Sequence, residues 1–575
     1  MLSIERTLDR RLPWLAQHPR LKRPVVGLLG KLAAEERFNR ALAGLAPLEG
    51  FDFVERVLDH LGVGYSVGHS EREHIPAEGP VVAVANHPLG MLDALALLHL
   101  VGSVRRDVRI LGNDVLAAFA PLRRLLLPVD VFGGGAPRGR LREAYRALDD
   151  GQALIVFPAG EVSRVGPAGV RDGRWSPGFA RLALRSGAPV LPVHVEARNS
   201  AMFYGMSMLA PPLAAALLPR EVFAARRTRI VFSIGGQIPA AELARAGGSP
   251  RQLARLMRRH VYRLPRRRAA LFGAQGPVAH PEPAAAVRTA LGRGEVLAEL
   301  ADGKRLILLP GAPDCPALRE LGRLRELSFR RVGEGSGRRR DLDAYDAHYE
   351  HLILWDEAAL AIAGAYRLGH GGSILAARGL AGLYSAALFR YAPAAEPVLR
   401  QGLELGRSFV APAYWRSRAL DRLWQGIGLY LQRHPELRHL VGPVSLSAAL
   451  PREARERIVA AHEHYFGASG LAEALRPFRP AADTLAAVRA LLDGRDAESG
   501  LAALRRDLAA QGVALPVLYR QYVDLCEPAG VRFLAFGEDP DFAGCVDGLV
   551  VLDLARLKPA KRARYLGGRV ETDGI

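Results

Sequence analysis

Cysteine is almost missing from these 575 residues: Cys315, Cys526 and Cys545 are the whole complement. An odd number without metal-ligand spacing argues against a disulfide framework and fits a reducing compartment. His194, His348 and His351 have no ligand spacing either, so no metal is expected. Lysine is nearly as scarce, confined to Lys22, Lys31, Lys304, Lys558 and Lys561, so arginine carries the net charge of +19. Such a field attracts nucleic acid, anionic headgroups or an acidic carrier protein. An Ala/Leu/Arg-rich chain is also what a GC-rich genome encodes. No helix-turn-helix, zinc or RNA-binding aromatic pattern accompanies the charge, and nucleic acid is not an expected partner. A membrane-spanning run of about eighteen apolar residues is lacking. The longest candidate, Met206–Pro219, is short and carries three prolines; it reads either as a buried helical hairpin or as a segment dipping into a bilayer face. MLSIERTLDRRLPW puts charges where a secretory leader needs an apolar core, so no leader is expected.

What is present is ample apolar material, 49% of residues, in a chain long enough for two cores. The first eighty residues read as helices, among them the basic amphipathic LKRPVVGLLGKLAAEERFNRAL. From Val81 short apolar runs alternate with helices: VVAVA, VRIL, LLLPVDVF, ALIVFPA, PVLPVHVEA and RIVFSIG. This alternation predicts an α/β domain with a central buried sheet. Between Leu264 and Ala286 four prolines, two glycines and a basic cluster read as a linker. A second α/β unit follows, with KRLILLP a strand, HLILWD and AIAGAYRLG an antiparallel hairpin, and LELGRSFV, VRFLAFG and GLVVLDL further strands. The expected division is 1–264, a linker over 265–286, and 287–575.

The strand VVAVA runs into Asn86-His87-Pro88, and Asp93 follows as a helix begins. A neutral imidazole can take the proton of a hydroxyl nucleophile while a carboxylate fixes its tautomer and stabilises the imidazolium. Alone, the pair is as readily a surface histidine and an N-capping aspartate. A second buried strand ends in Phe157-Pro158-Ala159-Gly160-Glu161, followed by Ser163 and Arg164. With these blocks in order the chain resembles the glycerolipid acyltransferase family of lysophosphatidic acid synthesis, over Gly50–Ile238. Asp130 and Phe132 stand in the acceptor-loop position and Pro192 in the late strand. The resemblance implies a lysophospholipid-acyltransferase-like α/β domain with His87 and Asp93 catalytic. It implies substrate contacts for Asn86, Phe157, Pro158, Gly160, Glu161 and Arg164. Two departures matter. Five residues, not four, separate His87 from Asp93, a difference that Gly90 can absorb as a bulge. The family's phosphate-associated Glu and Arg fall on Ala159 and Val162, which points away from glycerol phosphate as acceptor. The wording HPLG and FPAGEVSR is closer to hemolysin-like and ornithine-lipid O-acyltransferases.

Beyond the linker, Arg325 and Phe329 on a helix, Asp343 and Asp346 in a loop, Arg367 at a strand end, and Glu404 with Arg407 recur in order. Attack of an amine on a thioester needs anions to hold an ammonium and take its proton, and cations for a carboxylate or phosphopantetheine. Glu404 and Arg407 are three apart in a strand, on opposite pleat faces unless a bulge intervenes. The whole order resembles GNAT-like, acyl-carrier-dependent acyltransferases such as acyl-homoserine lactone synthases and ornithine N-acyltransferases, over Gly303–Gly567. It implies a mixed-sheet α/β domain in which Glu404 is catalytic and Arg325, Phe329, Asp343, Asp346, Arg367 and Arg407 bind substrate. Trp355 and Trp424 read as packing.

The two patterns in one chain resemble the fused ornithine lipid synthases. The implied reactions are N-acylation of an amino acid, ornithine first, from a 3-hydroxyacyl carrier protein thioester, then O-acylation of the 3-hydroxyl of the lyso-lipid. No bound cofactor is expected, the carrier thioester being the donor, and the expected site is the cytoplasmic face of a bacterial inner membrane, bound peripherally. The alternatives are a single active domain, another amine (glycine, glutamine or lysine), or a non-enzymatic hemolysin-like protein. A pore former should show a spanning helix or amphipathic hairpin, and neither is evident.

Overall fold

The computed structural model describes residues 18–32 and 48–567 except 113–119, 129–137, 168, 210–217, 225–228 and 313, together with Glu5, Glu36 and Arg40. Asp130, Phe132 and most of the Met206–Pro219 segment therefore lie outside the described residues. The chain forms two compact units, Met1–His280 and Pro281–Ile575.

The first unit contains β1 (Gly64–Val67), β2 (Val81–Ala85), β3 (Val108–Gly112), β4 (Leu126–Pro128), β5 (Ala153–Val156), a small hairpin of β6 (Arg164–Gly166) and β7 (Gly169–Arg171), then β8 (Val190–Glu196) and β9 (Arg229–Ile234). The main sheet runs β1-β9-β8-β2-β5-β3-β4. Neighbours are parallel except the antiparallel pair β8–β9. The edge strand β1 has no counterpart in the sequence reading, because GYSV is too short for an alternation to register. The helices that matter here are α1 (Met91–Gly102), α2 (Gly178–Ser186), α3 (Ala201–Leu209) and α4 (Pro250–Val261).

Every residue of β2 is buried, as a central parallel strand requires. Its alternate side chains serve two cores. Val81, Ala83 and Ala85 pack with Leu92, Leu95 and Leu98 of α1; Val82 and Val84 pack with Phe179 of α2 and Leu253 and Met257 of α4. Each large side chain so buried contributes about 1.5–3 kcal/mol, so the carboxyl end of β2, where His87 follows, rests on a rigid base.

The second unit holds β10 (Glu295–Glu299), β11 (Lys304–Pro310), α5 (Pro316–Arg331), β12 (Glu350–Asp356), β13 (Ala361–His370), β14 (Phe389–Tyr391), β15 (Gly402–Val410), α6 (Ala419–Arg433), β16 (His439–Leu446), β17 (Ala472–Ala474), β18 (Val531–Asp539) and β19 (Cys545–Asp553). Eight strands form a mixed sheet, β10-β11-β12-β13-β15-β16-β19-β18, and β14 pairs with β17. The parallel pair β15–β16 is registered only from Gly402–His439 to Glu404–Val441. Beyond Glu404 the two strands continue without pairing each other. Between Arg367–Gly406 and Ala365–Phe409 the β13–β15 ladder slips, and Arg407 sits at φ 47°. This bulge resolves the conflict over pleat faces: it turns Arg407 toward Asp343.

The stretch read as a linker is packed. Phe272 is buried among Met257 and Ile238, the Leu271 amide donates to His260 Nδ1 at 3.1 Å, and His280 Nε2 lies 2.9 Å from the Ile75 carbonyl. On the other side of the boundary Glu282 accepts from Arg319 and Arg340. Proline bars regular hydrogen-bonded ladders, not burial, so counting prolines misread an ordered segment as a spacer.

Candidate active sites

At the end of β2, Asn86 spends both halves of its amide on β8: Nδ2 donates to the Val195 carbonyl (2.9 Å) and Oδ1 accepts the Val195 amide (2.7 Å). Asn86 thus anchors β2 to β8. His87 follows with Nδ1 2.8 Å from Asp93 Oδ1. Asp93 is fully buried in the first turn of α1 and its other oxygen accepts the Leu89 amide at 2.8 Å. Gly90, at φ 82°, makes the turn that brings the two together, a conformation costly for other residues. With Nδ1 engaged, Nε2 is the nitrogen left to meet an acceptor.

Phe157 lies against the His87 ring, centroids 4.1 Å apart. Burial pushes the His87 pKa down, but the Asp93 charge and contact, with Asp172 beyond, outweigh it and hold the imidazole above its ordinary value. The Pro158 carbonyl accepts the Ser176 amide (2.8 Å) and Gly160, at φ 67°, closes the turn. Glu161 and Arg164 pair with each other at 2.5 Å on the surface, an arrangement worth at most about 1 kcal/mol. Arg164 is thus paired here but only weakly held.

In the second unit the three predicted arginines are paired, Arg325 and Arg367 buried and Arg407 half-buried. Arg325 Nη1 meets Asp346 at 2.7 Å; Arg367 Nη1 meets Asp343 at 2.6 Å and Asp346 at 3.3 Å; Arg407 meets Asp341 at 3.0 Å and Asp343 at 3.4 Å. Burial pushes the Asp346 carboxyl up, and Arg325 and Arg367 overcome that and hold it well below the usual range. His351, buried beside Arg325, is driven down to about 3 and stays neutral. Three arginines and three aspartates thus form one paired lattice, in which Arg367 Nε and Nη2 are left without a hydrogen-bond partner among the described residues. Asp341 stands in RRRDLDAYD, which in sequence has the form of a solvated charged run. Phe329 packs edge-on against Phe542, centroids 5.0 Å apart, and Trp355 and Trp424 are core residues.

Glu404 stands where the parallel ladder ends. It is buried, and none of the three arginines is among its hydrogen-bond partners. Oε2 accepts from the Tyr349 hydroxyl and the Tyr384 amide (3.2 Å), and Oε1 accepts the Ser385 amide (2.8 Å). The space beside Glu404 between Gly371, Leu383, Leu399, Gly402 and Val441 is too small to admit a water molecule. A carboxylate so held can accept a proton without first finding its position. Tyr349 and Tyr384 gave no sequence signal, since their partner lies far along the chain. Among the described residues, His370, His434 and Glu436 could surround an ion. Here both imidazoles meet Glu436 Oε1, at 2.9 and 3.2 Å. His370 Nδ1 accepts the Ser373 amide, which places the proton on Nε2 and makes that contact an ordinary hydrogen bond.

Two domains of acyl transfer account for these centres. Residues 6–270 match an acyltransferase family, and residues 324–425 match an acetyltransferase (GNAT) domain. The chain is an enzyme that transfers acyl groups other than aminoacyl. Its first half is 29% identical over 272 residues to a lyso-glycine lipid O-acyltransferase of Bacteroides thetaiotaomicron, covering 46% of this chain and 97% of that one. The second half resembles a glycine N(alpha)-acyltransferase of Phocaeicola vulgatus, 32% identical over 199 residues, 30% of this chain and 59% of that one. It also resembles an L-ornithine N(alpha)-acyltransferase of Agrobacterium fabrum, 33% identical over 132 residues, 22% of this chain and 44% of that one.

Proposed function

We propose that the chain makes an amino-acid lipid in two steps. In the second unit the amine of an α-amino acid attacks a 3-hydroxyacyl thioester of acyl carrier protein. The C–N bond forms, the C–S bond breaks, and the amine proton passes to Glu404 and on to the departing thiolate. In the first unit the 3-hydroxyl of that lyso-lipid gives its proton to His87 Nε2 and attacks a second thioester, and the imidazolium returns the proton to the leaving thiolate. Asp93 holds the tautomer and stabilises the imidazolium. The carrying observation is the His87–Asp93 pair in the first unit and the buried Glu404 carboxylate in the second, each within a segment that matches an acyl-transferring family. Ornithine follows from the resemblance of the motifs. Glycine has an equal claim from the enzymes that both halves match, and labelled glycine and ornithine fed to expressing cells decide between them.

Cutting between His280 and Pro281 tests the division of labour. The fragment from Pro281 onward should convert 3-hydroxyacyl carrier protein and amino acid to lyso-lipid. The fragment ending at His280 should acylate supplied lyso-lipid but not free amino acid. Two folded fragments, each inert on its own substrate, would replace this reading by a composite site.

The proposed location is the cytoplasmic membrane surface. No helix among the described residues is long and apolar enough to cross a bilayer. Helix α3 buries Phe203 and Tyr204 against Val162 and Val170 and exposes Met202 and Met208, as the neighbouring hairpin exposes Val165. Exposed apolar side chains on a cationic protein suit an anionic interface. Sedimentation with phosphatidylglycerol vesicles should fall with salt and fall further in Met202→Glu/Met208→Glu; binding indifferent to both would remove this location.

A further inference from the structure

Asp172, at the end of the β6–β7 hairpin, is 2% exposed and belongs to no motif read from the sequence. Its Oδ1 accepts the backbone amide of His87 at 3.1 Å and the Ser163 hydroxyl at 2.5 Å; its Oδ2 accepts the indole N–H of Trp175 at 2.8 Å. Ser163 in turn donates its amide to the His87 carbonyl at 2.8 Å. The peptide groups of His87 are thus gripped from both sides by one segment. The grip is itself seated on α4: the Asp172 amide donates to the Tyr262 hydroxyl at 2.8 Å and its carbonyl accepts from Arg258 at 2.5 Å.

We propose that Asp172 is a positioning residue for the O-acyl transfer centre, acting on His87 as a second carboxylate opposite Asp93. It fixes the backbone from which the imidazole projects, and its charge raises the basicity of that imidazole. The three donors that reach its carboxylate are an amide, a hydroxyl and an indole, all neutral, so its charge is not cancelled by a bonded cation and bears on His87. Burial holds the Asp172 carboxyl above its ordinary value, although these donors and His87 draw it part of the way back. The other charged or titratable groups around the pair are Asp93 from α1, Arg258 and Tyr262 from α4, Arg171, whose guanidinium lies over the Tyr262 ring at 4.9 Å, and His194, edge-on to Tyr262 at 5.4 Å. Burial, with Arg266 and Arg171, lowers His194 to about 4, so it is neutral over the working range. Asp93 and Asp172 are then the two carboxylates that raise His87, Asp93 by charge and contact and Asp172 by charge alone.

This rests on the proposed role of His87, and the test separates the two. Carbethoxylation of the His87 peptide in the full chain, followed from about pH 5 to about pH 9, reads the imidazole titration without substrate. O-acylation of N-(3-hydroxypalmitoyl)glycine by palmitoyl carrier protein reads the reaction. Asp172→Asn must turn its amide toward one set of donors, so it is paired with Trp175→Phe, which removes the opposing indole, and Trp175→Phe alone is the control. The double variant should titrate His87 about one pH unit lower than the control. The acid limb of kcat should move by the same amount, with KM for the lyso-lipid unchanged. Ser163→Ala, a milder change that keeps the carboxylate, should leave the His87 midpoint at or above that of the parent. A folded double variant with an unmoved midpoint, or a lowered midpoint in Ser163→Ala, overturns the proposal. Persistence of O-acylation in His87→Ala would instead overturn the reaction assignment, whatever Asp172 does to the titration.

Discussion

Replacing His87 with alanine should lower O-acylation by about a hundredfold to ten-thousandfold, the range that a positioned general base contributes, while N-acylation continues. Cells would then accumulate the mono-acylated lipid, seen by mass spectrometry of extracts. The expectation follows from the dyad: Asp93 directs Nδ1, and Nε2 is the remaining ring nitrogen. The pH dependence has a definite sign. Because the folded pKa of His87 is raised, the neutral, reactive form is depleted already above the ordinary value, and the acid limb of the rate should lie above about 6.5. The same shift favours folding when His87 is protonated, a contribution present below its unfolded pKa and lost as pH rises through the folded one. Activity and this part of stability therefore run in opposite directions with pH. Wild-type O-acylation in a folded His87→Ala protein would remove the dyad from the mechanism.

Glu404→Gln should cut N-acylation by about a hundredfold or more and leave acylation of supplied lyso-lipid intact. A glutamine cannot take the amine proton. It also sets an N–H against one of the three donors that now converge on the carboxylate, at a cost of about 1–3 kcal/mol, so thermal unfolding must be followed alongside. Tyr349→Phe separates the two effects: it removes one donor, keeps the charge, and should retain N-acylation within about tenfold. If Glu404→Gln is folded and fully active, the base lies elsewhere. Asp547, on β19 and hydrogen-bonded by Ser445 at 2.6 Å, would be the next carboxyl to test, because burial has moved it up to about 6.

The place of His87 was legible because it follows a strand. VVAVA had to be a buried strand because nothing in it tolerates water, and whatever follows such a strand stands at the sheet's carboxyl edge, where His87 is. The arginines and aspartates of the second unit were recognised as a group, but their pairing was not. Sequence order cannot tell whether an arginine waits for a substrate or is neutralised by Asp341, a residue that looked like part of a solvated run. Asp172 was invisible for a related reason: its partner is a backbone amide, and every residue but proline has one. The pattern changes at residue 264 while the units divide between His280 and Pro281, and the packing of Phe272 and His280 was not readable, since buried loops carry no periodicity.

The clamp of Asn86 on Val195 has a consequence for motion. Loops that carry reactive groups usually belong to the part of a fold that opens easily. Here the residue before the reactive histidine is fastened to β8 as firmly as a ladder pair, so His87 can shift only when the central strands part. On the proposed reading the backbone under the imidazole stays in place during turnover, and admitting and releasing the acyl chains is the work of other segments around it.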